Sequence, residues 1–194
     1  MSKLFFFDID GTLIDCNKGL YGISTINRNS FDQLKQKGHD VFLATGRCKC
    51  FITEGVMDYP FSGYVTCNGG YVEYKGDAIY KAVVPAKAIE ETIKLSKEHH
   101  FSFYFESSDY IYVLDKNDPQ HKEFARVWGM KDETIIDDFD PQEIETYIGM
   151  IVINSKEDIP LLVETLSPYF DIQRHQTGCS FAVSYTHLTL PTIA

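Results

Sequence analysis

The residues richest in chemistry stand at the front of the chain, where a short apolar run, 4–7, breaks into Asp8-Ile9-Asp10-Gly11-Thr12. Two carboxylates two residues apart in an extended segment share a face and lie roughly 6.5–7 Å apart along it. Carboxylates so placed do not ionise comfortably together without a cation between or beside them. Magnesium suits the arrangement, because it is a hard ion that keeps waters and takes one or two carboxylates plus a substrate phosphate. One carboxylate can attack phosphorus, and a second can protonate the leaving oxygen and then activate water. Gly11 permits a sharp turn at this point, and Thr12 offers a hydroxyl.

A second polar turn, Thr45-Gly46-Arg47, follows the apolar run 41–44. A hydroxyl, a turn glycine and exposed backbone N–H groups make a small anion cradle. Arg47 is expected to add a charge-assisted contact to a phosphate or substrate. A third turn, Cys67-Asn68-Gly69-Gly70, follows the run 64–67. Asn68 reads either as a residue near a substrate entrance or as a turn asparagine before two glycines.

These turns must be held by a scaffold. Strand 4–7, expected to be fully buried, leads to a helix over 25–37, with Ser24 as N-cap and Gly38 at the C-terminal end. Strands follow at 41–44 and 64–67. Buried strands alternating with a helix are the pattern of a parallel α/β sheet, which places ligands at the carboxyl ends of its strands. Beyond Gly70 the style changes. A hairpin is expected over 71–83 around Lys75-Gly76-Asp77, then a helix at 86–99 and strands at 101–106 and 110–114. A helix at 119–128, a strand at 147–154, a helix at 157–169 and strands at 171–175 and 179–183 complete an α+β stretch.

Asp-Ile-Asp-Gly-Thr-Leu, Ala-Thr-Gly-Arg and Cys-Asn-Gly-Gly together resemble the motifs of the haloacid dehalogenase (HAD) superfamily, in its Cof-like sugar-phosphatase branch. The resemblance covers residues 1–182, by motif in the first 83 and by pattern afterwards. It implies an α/β fold: a Rossmann-like core over 1–83 and an inserted α+β cap of the C2 type over 84–182, with the C-terminal part of the core missing. It also implies a magnesium-dependent phosphatase acting on a sugar phosphate or similar small phosphomonoester through an aspartyl-phosphate. Asp8 matches the nucleophile and a magnesium ligand. Asp10 matches the general acid/base, whose backbone carbonyl also reaches the metal. Thr45 matches the residue that holds the transferring phosphoryl group, with Gly46, Arg47 and Asn68 beside it on the phosphate side.

The same resemblance implies a lysine and a Gly-Asp-rich turn after the cap. Neither follows residue 175, since no Lys or Arg comes after Arg174 and no Asp or Glu after Asp171. Residues 183–194 resemble a translated sequencing-library adapter and are read as a non-native tail. The chain as it stands is therefore expected to be inactive and poorly soluble. The rival readings are a non-catalytic phosphate- or ligand-binding remnant, a chain completed by a partner, and a phosphomutase of the same superfamily. Trp128, Arg174 and His175 are candidates for substrate contact, but packing and surface roles are preferred for them.

Composition bounds the partners. The 194 residues carry a formal net charge of −10, which repels nucleic-acid backbones and anionic lipid surfaces. The expected partner is a small phosphorylated metabolite, drawn in by the cation and Arg47; oligomeric state is left open. No stretch is apolar and long enough to span a bilayer, and 4–7 is too short for a signal core. Five cysteines (Cys16, Cys48, Cys50, Cys67 and Cys179) follow no disulfide framework and point to reduced thiols in a cytoplasm. Cys48-Lys49-Cys50 lacks the second ligand pair of a zinc site, so these thiols are read as incidental.

Overall fold

Apolar runs cut short by turn residues do form a parallel sheet at the front of the chain. The computed structural model describes residues 1–15, 18–128, 130–152, 158–174 and 180–184, and it divides into two units, Met1–Lys81 and Ala82–Ala194. In the first unit the order of elements is β1 (Leu4–Phe7), α1 (Thr25–Gln36), β2 (Asp40–Ala44), α2 (Glu54–Met57), β3 (Gly63–Thr66), β4 (Tyr71–Tyr74) and β5 (Asp77–Lys81). The strands lie in that order across one sheet. β1 and β2 run parallel with Phe7 opposite Leu43, and β2 and β3 run parallel with Ala44 opposite Val65. β4 and β5 add antiparallel strands through a tight turn at Lys75 (φ 53°) and Gly76 (φ 92°), the left-handed pair that a two-residue hairpin requires.

The crossover helix α1 starts where its sequence says it should. The Ser24 side chain accepts from the Asn27 N–H at 3.2 Å, and Gly38 at φ +80° closes the other end. Its buried face is anchored by Phe31, 2% exposed, which packs on Phe7, Tyr59 and Phe61. Val41 and Leu43, alternate residues of β2, point into this same core with Ile9, Ile23 and Val56. Phe42 points to the opposite face, where its ring stacks on Tyr74 at 5.4 Å and meets Phe6 at 4.9 Å.

β1 departs from expectation. It is not buried on both faces: Leu4 and Phe6 are 55% and 53% exposed, while Phe5 and Phe7 are half-buried. The cause is position, because β1 is an outer strand of the sheet among the described residues, paired on one side only. An unbroken apolar run says that a strand is present but not how many of its faces are covered.

The second unit is α+β. Its elements are α3 (Ala86–His99), β6 (Ser102–Glu106), β7 (Ile111–Tyr112), α4 (Pro119–Trp128), β8 (Ile135–Ile136), β9 (Ile148–Val152), α5 (Ile159–Leu166), β10 (Asp171–Arg174) and β11 (Ser180–Ser184). The strands order as β10-β11-β9-β6-β7-β8, antiparallel except for the pairing of β7 with β8. Helices α3 and α5 cover one core, in which Ile89, Phe103, Phe105 and Leu166 are at most 1% exposed. The two-residue strand β8 was not anticipated, being too short to leave a periodic signal. β11 pairs with β9 and β10 through Ser184, two residues past the boundary expected at 182. Cys16, His175, Cys179, residues 185–194 and the side chains of Trp128 and Arg174 lie outside what is described. Among the described residues no helix is long and apolar enough to cross a membrane.

Candidate active site

The three turns singled out in the sequence all follow carboxyl ends of adjacent parallel strands, which brings them to one edge of the sheet. At the end of β1 the chain ties a small knot. The Ile9 carbonyl accepts from the N–H groups of Thr12, Leu13 and Ile14 at 3.2, 2.9 and 3.1 Å, and Gly11 (φ +77°) donates to the Ile14 carbonyl. Ile9 is fully buried and plugs the turn, so Asp8 and Asp10 on either side of it face outward. The Thr12 hydroxyl donates to Asp8 Oδ2 at 3.3 Å. The knot's bonds use the carbonyls of Ile9 and Ile14 and leave that of Asp10 out.

The turn after β2 grips Asp10. Arg47 Nε donates to Asp10 Oδ2 at 2.9 Å and Nη2 to Oδ1 at 2.6 Å, a two-point contact that uses both carboxylate oxygens. Arg47 is buried, with its side chain 8% exposed, whereas Asp10 is 52% exposed. Nη1 donates to the Phe51 carbonyl at 3.2 Å, and the guanidinium lies 5.2 Å from the centre of the Phe51 ring. Arg47 was expected on the phosphate side; here it holds a carboxylate. The reason is charge pairing: a buried guanidinium needs an anionic partner, and Asp10 is within reach.

The backbone of the same turn is also partly committed. Thr45 N–H donates to the Val65 carbonyl at 2.9 Å, and Arg47 N–H to Thr45 Oγ1 at 3.2 Å. The Thr45 hydroxyl hydrogen and the Gly46 N–H are the donors that remain for an anion. Gly46 is exposed; Thr45 is mostly covered, at 7%. Cys67 N–H donates to the Arg47 carbonyl at 2.9 Å, joining the third turn to the second. Cys67 and Asn68 both have φ 53° and Gly69 has φ 89°, a left-handed run that costs a non-glycine residue about 1–3 kcal/mol. The run carries Asn68 over Gly46: a side chain at residue 46 would meet Asn68 Oδ1 at 2.7 Å. Asn68 is therefore placed beside Gly46.

Two features escaped sequence reasoning. One is the Asp10–Arg47 pair, for which the signal was a lone arginine one turn away from two crowded acids. The other is the segment after Arg47, where Cys48 Sγ and Cys50 Sγ stand 3.4 Å apart and Lys49 pairs with Glu73 at 2.7 Å. Lys49 also lies 4.7 Å from the Tyr64 ring centre, whose hydroxyl is pushed up from its ordinary value by burial, against the pull of Lys49.

The family model described as haloacid dehalogenase-like hydrolase matches residues 5–185. The chain belongs to this family. A Bacillus subtilis (strain 168) protein, YkrA, whose name places it provisionally among phosphatases, is 32% identical over 108 residues, 56% of this chain. The chain's match spans 41% of the length of that relative. Among solved structures, a hypothetical protein from Geobacillus kaustophilus HTA426 superposes with a TM-score of 0.79 at 21% identity, covering 95% of this chain and 69% of that one. The sugar phosphatase BT4131, of HAD subclass IIB, superposes with a TM-score of 0.72 at 22% identity, covering 95% and 70%. These likenesses establish a HAD-type α/β fold; at such identities they carry the fold alone.

Proposed function

We propose that the chain forms the front of a magnesium-dependent phosphomonoesterase for a sugar phosphate or similar small metabolite, with Asp8 as the nucleophile. The observation that carries this reading is the joining of two turns by Arg47: Asp8 stands exposed at a strand end while its neighbour Asp10 is fixed by a cation from the next strand end. Asp8 attacks the phosphorus of the bound ester, and the P–O bond to the leaving group breaks as the aspartyl-phosphate forms. Asp10 supplies the leaving oxygen with a proton and later takes one from the attacking water. Each Asp10 oxygen accepts one N–H from Arg47 and keeps a second lone pair for that proton. Arg47 is thus a positioning residue. Thr45 and Gly46 offer an O–H and an N–H to phosphoryl oxygens, on which the transition state spreads negative charge.

The oxygens present fit magnesium. The Asp8 carboxylate and the Asp10 carbonyl would hold it, with substrate phosphate and water completing its shell, an arrangement usual for this ion. Both side-chain oxygens of Asp10 are engaged by Arg47, and among the described residues no three His, Cys, Asp or Glu side chains cluster as a ligand set. When bound, magnesium neutralises the phosphate charge that an acidic protein would otherwise repel. The test is phosphate release from an aryl phosphate with and without magnesium, in the chain completed with the lysine and Gly-Asp-rich turn that the resemblance implies and in its Asp8→Asn variant, the chain alone being expected to release little or none. The reading requires release that needs both the ion and Asp8. Equal rates in Asp8→Asn would sink it, and phosphate passed to a sugar rather than to water would favour the mutase reading.

A further inference from the structure

Cys48 and Cys50 have no part in the chemistry above, yet they are not scattered thiols. Their sulfurs are 3.4 Å apart, in contact across a single residue. Cys48 is fully buried and Cys50 is partly exposed. The turn that carries them is the one that secures Arg47. Phe51 N–H donates to the Cys48 carbonyl at 3.0 Å, and the Phe51 carbonyl and ring both receive the Arg47 guanidinium. Lys49, between the two cysteines, is anchored to Glu73 on β4.

We propose that Cys48 and Cys50 form a reversible dithiol modification site, oxidised to a Cys48–Cys50 disulfide by a low-molecular-weight disulfide. The partly exposed Cys50 thiolate attacks one sulfur of RS–SR; that bond breaks, a mixed disulfide forms, and RS⁻ departs. The Cys48 thiolate then attacks Cys50 Sγ, forming the protein disulfide and expelling the second RS⁻. The two thiol protons end on the two departing thiolates, and the two electrons lost by the protein reduce RS–SR to two RSH. Exposure fixes the order of events, since only Cys50 is open to an incoming reagent. A ring closed across one intervening residue is strained, which places the bond among the labile, easily reduced disulfides.

Bond formation draws the sulfurs from contact to about 2.0 Å, a closure that the 48–51 turn must absorb. With Lys49 held by Glu73, the turn gives at Phe51, so the carbonyl and ring that steady Arg47 shift. The grip on Asp10 loosens in consequence. This last link rests on the proposed phosphatase reading; the modification itself does not.

The test uses the full chain treated with glutathione disulfide, blocked with a maleimide, digested and mapped by mass. The peptide spanning residues 48–50 is expected to lose about 2 Da, to take no maleimide, and to recover two thiols on reduction. Maleimide on both cysteines, or a glutathione adduct persisting on Cys50, would overturn the site. In Cys48→Ser that adduct is expected to persist, because no resolving thiol remains. In the chain completed with the lysine and Gly-Asp-rich turn that the resemblance implies, magnesium-dependent aryl-phosphate hydrolysis should fall at least about fivefold on oxidation and be unchanged by it in the Cys48→Ser/Cys50→Ser double variant. If the disulfide forms and hydrolysis is unaffected, the link through Arg47 is wrong. A disulfide that forms while the completed chain shows no hydrolysis in either state leaves the modification site standing and removes the phosphatase reading instead.

Discussion

The Asp10–Arg47 pair can be weighed by a double-mutant cycle on unfolding. Its two contacts, at 2.9 and 2.6 Å, are both N–H groups of a cation facing a carboxylate, and hydrogen bonds to charged groups contribute about 1.5–3 kcal/mol when shielded. The two partners are shielded unequally, with side-chain exposures of 8% for Arg47 and 52% for Asp10. Asp10 recovers much of its hydration when the pair is broken, whereas Arg47 does not. Asp10→Ala, which strands a buried guanidinium, should therefore cost about 2–3 kcal/mol, below the 3–5 kcal/mol of a fully buried pair. Arg47→Met leaves a rehydrated carboxylate and also loses the Phe51 carbonyl contact, and should cost about 1–2 kcal/mol. A coupling energy of about 1–2 kcal/mol is expected between them, above the value of an exposed pair. The assay is urea unfolding followed by far-ultraviolet circular dichroism, with the transitions of the two units fitted separately because such a chain need not unfold as one. Additivity within about 0.4 kcal/mol would mean the contact contributes nothing. An Asp10→Ala variant more stable than Arg47→Met would refute the argument from unequal burial.

Three further outcomes follow from particular contacts. In Gly46→Ala the new methyl meets the end of the flexible Asn68 side chain, so the proposed magnesium-dependent turnover of the completed chain should fall while unfolding free energy changes by less than about 1 kcal/mol. Activity and urea titration on one preparation separate the two effects. In Gly63→Ala the methyl would enter the Phe42 ring and the Glu73 carbonyl, so a loss of about 3 kcal/mol or more in urea unfolding, or no soluble protein, is expected. His121 is 3% exposed, and burial holds its imidazole below the ordinary value of 6.5 although Asp118, Asp115, Asp132 and Asp137 push it up. Below that value the unfolded chain takes a proton that the folded one refuses, so stability is lost as pH falls from 6.5. The urea midpoint of the second unit should show this fall between pH 6.5 and 5, and His121→Leu should flatten it.

Much of this architecture was legible because its signals are local. Ser24 capping α1, Gly38 ending it and the Lys75-Gly76 turn each follow from the backbone needs of one or two residues. The outward pairing of Asp8 and Asp10 around buried Ile9 is likewise a matter of strand alternation. The partner of Arg47 was not legible, since it depends on which strands are neighbours and on the guanidinium being buried rather than exposed. Nor was the exposure of Leu4 and Phe6, because apolar character records a preference and not the presence of a cover. The closeness of Cys48 and Cys50 depends on side-chain rotamers in a turn with no periodic pattern to read.

The place of β1 at the rim of its sheet bears on how still Asp8, the proposed nucleophile, can be held. Among the described residues Asp8 extends from a strand supported along one side, like a beam fixed to a single wall. Its lateral sway is resisted by the β1–β2 ladder and by the Ile9 knot, and by no second ladder. A displacement of 1 Å between reacting atoms is enough to cost about a hundredfold in rate. A strand laid along the open side of β1, resting on the exposed Leu4 and Phe6, would act as the second wall. It would quicken phosphoryl transfer by damping Asp8 alone, while contributing no atom to the reaction.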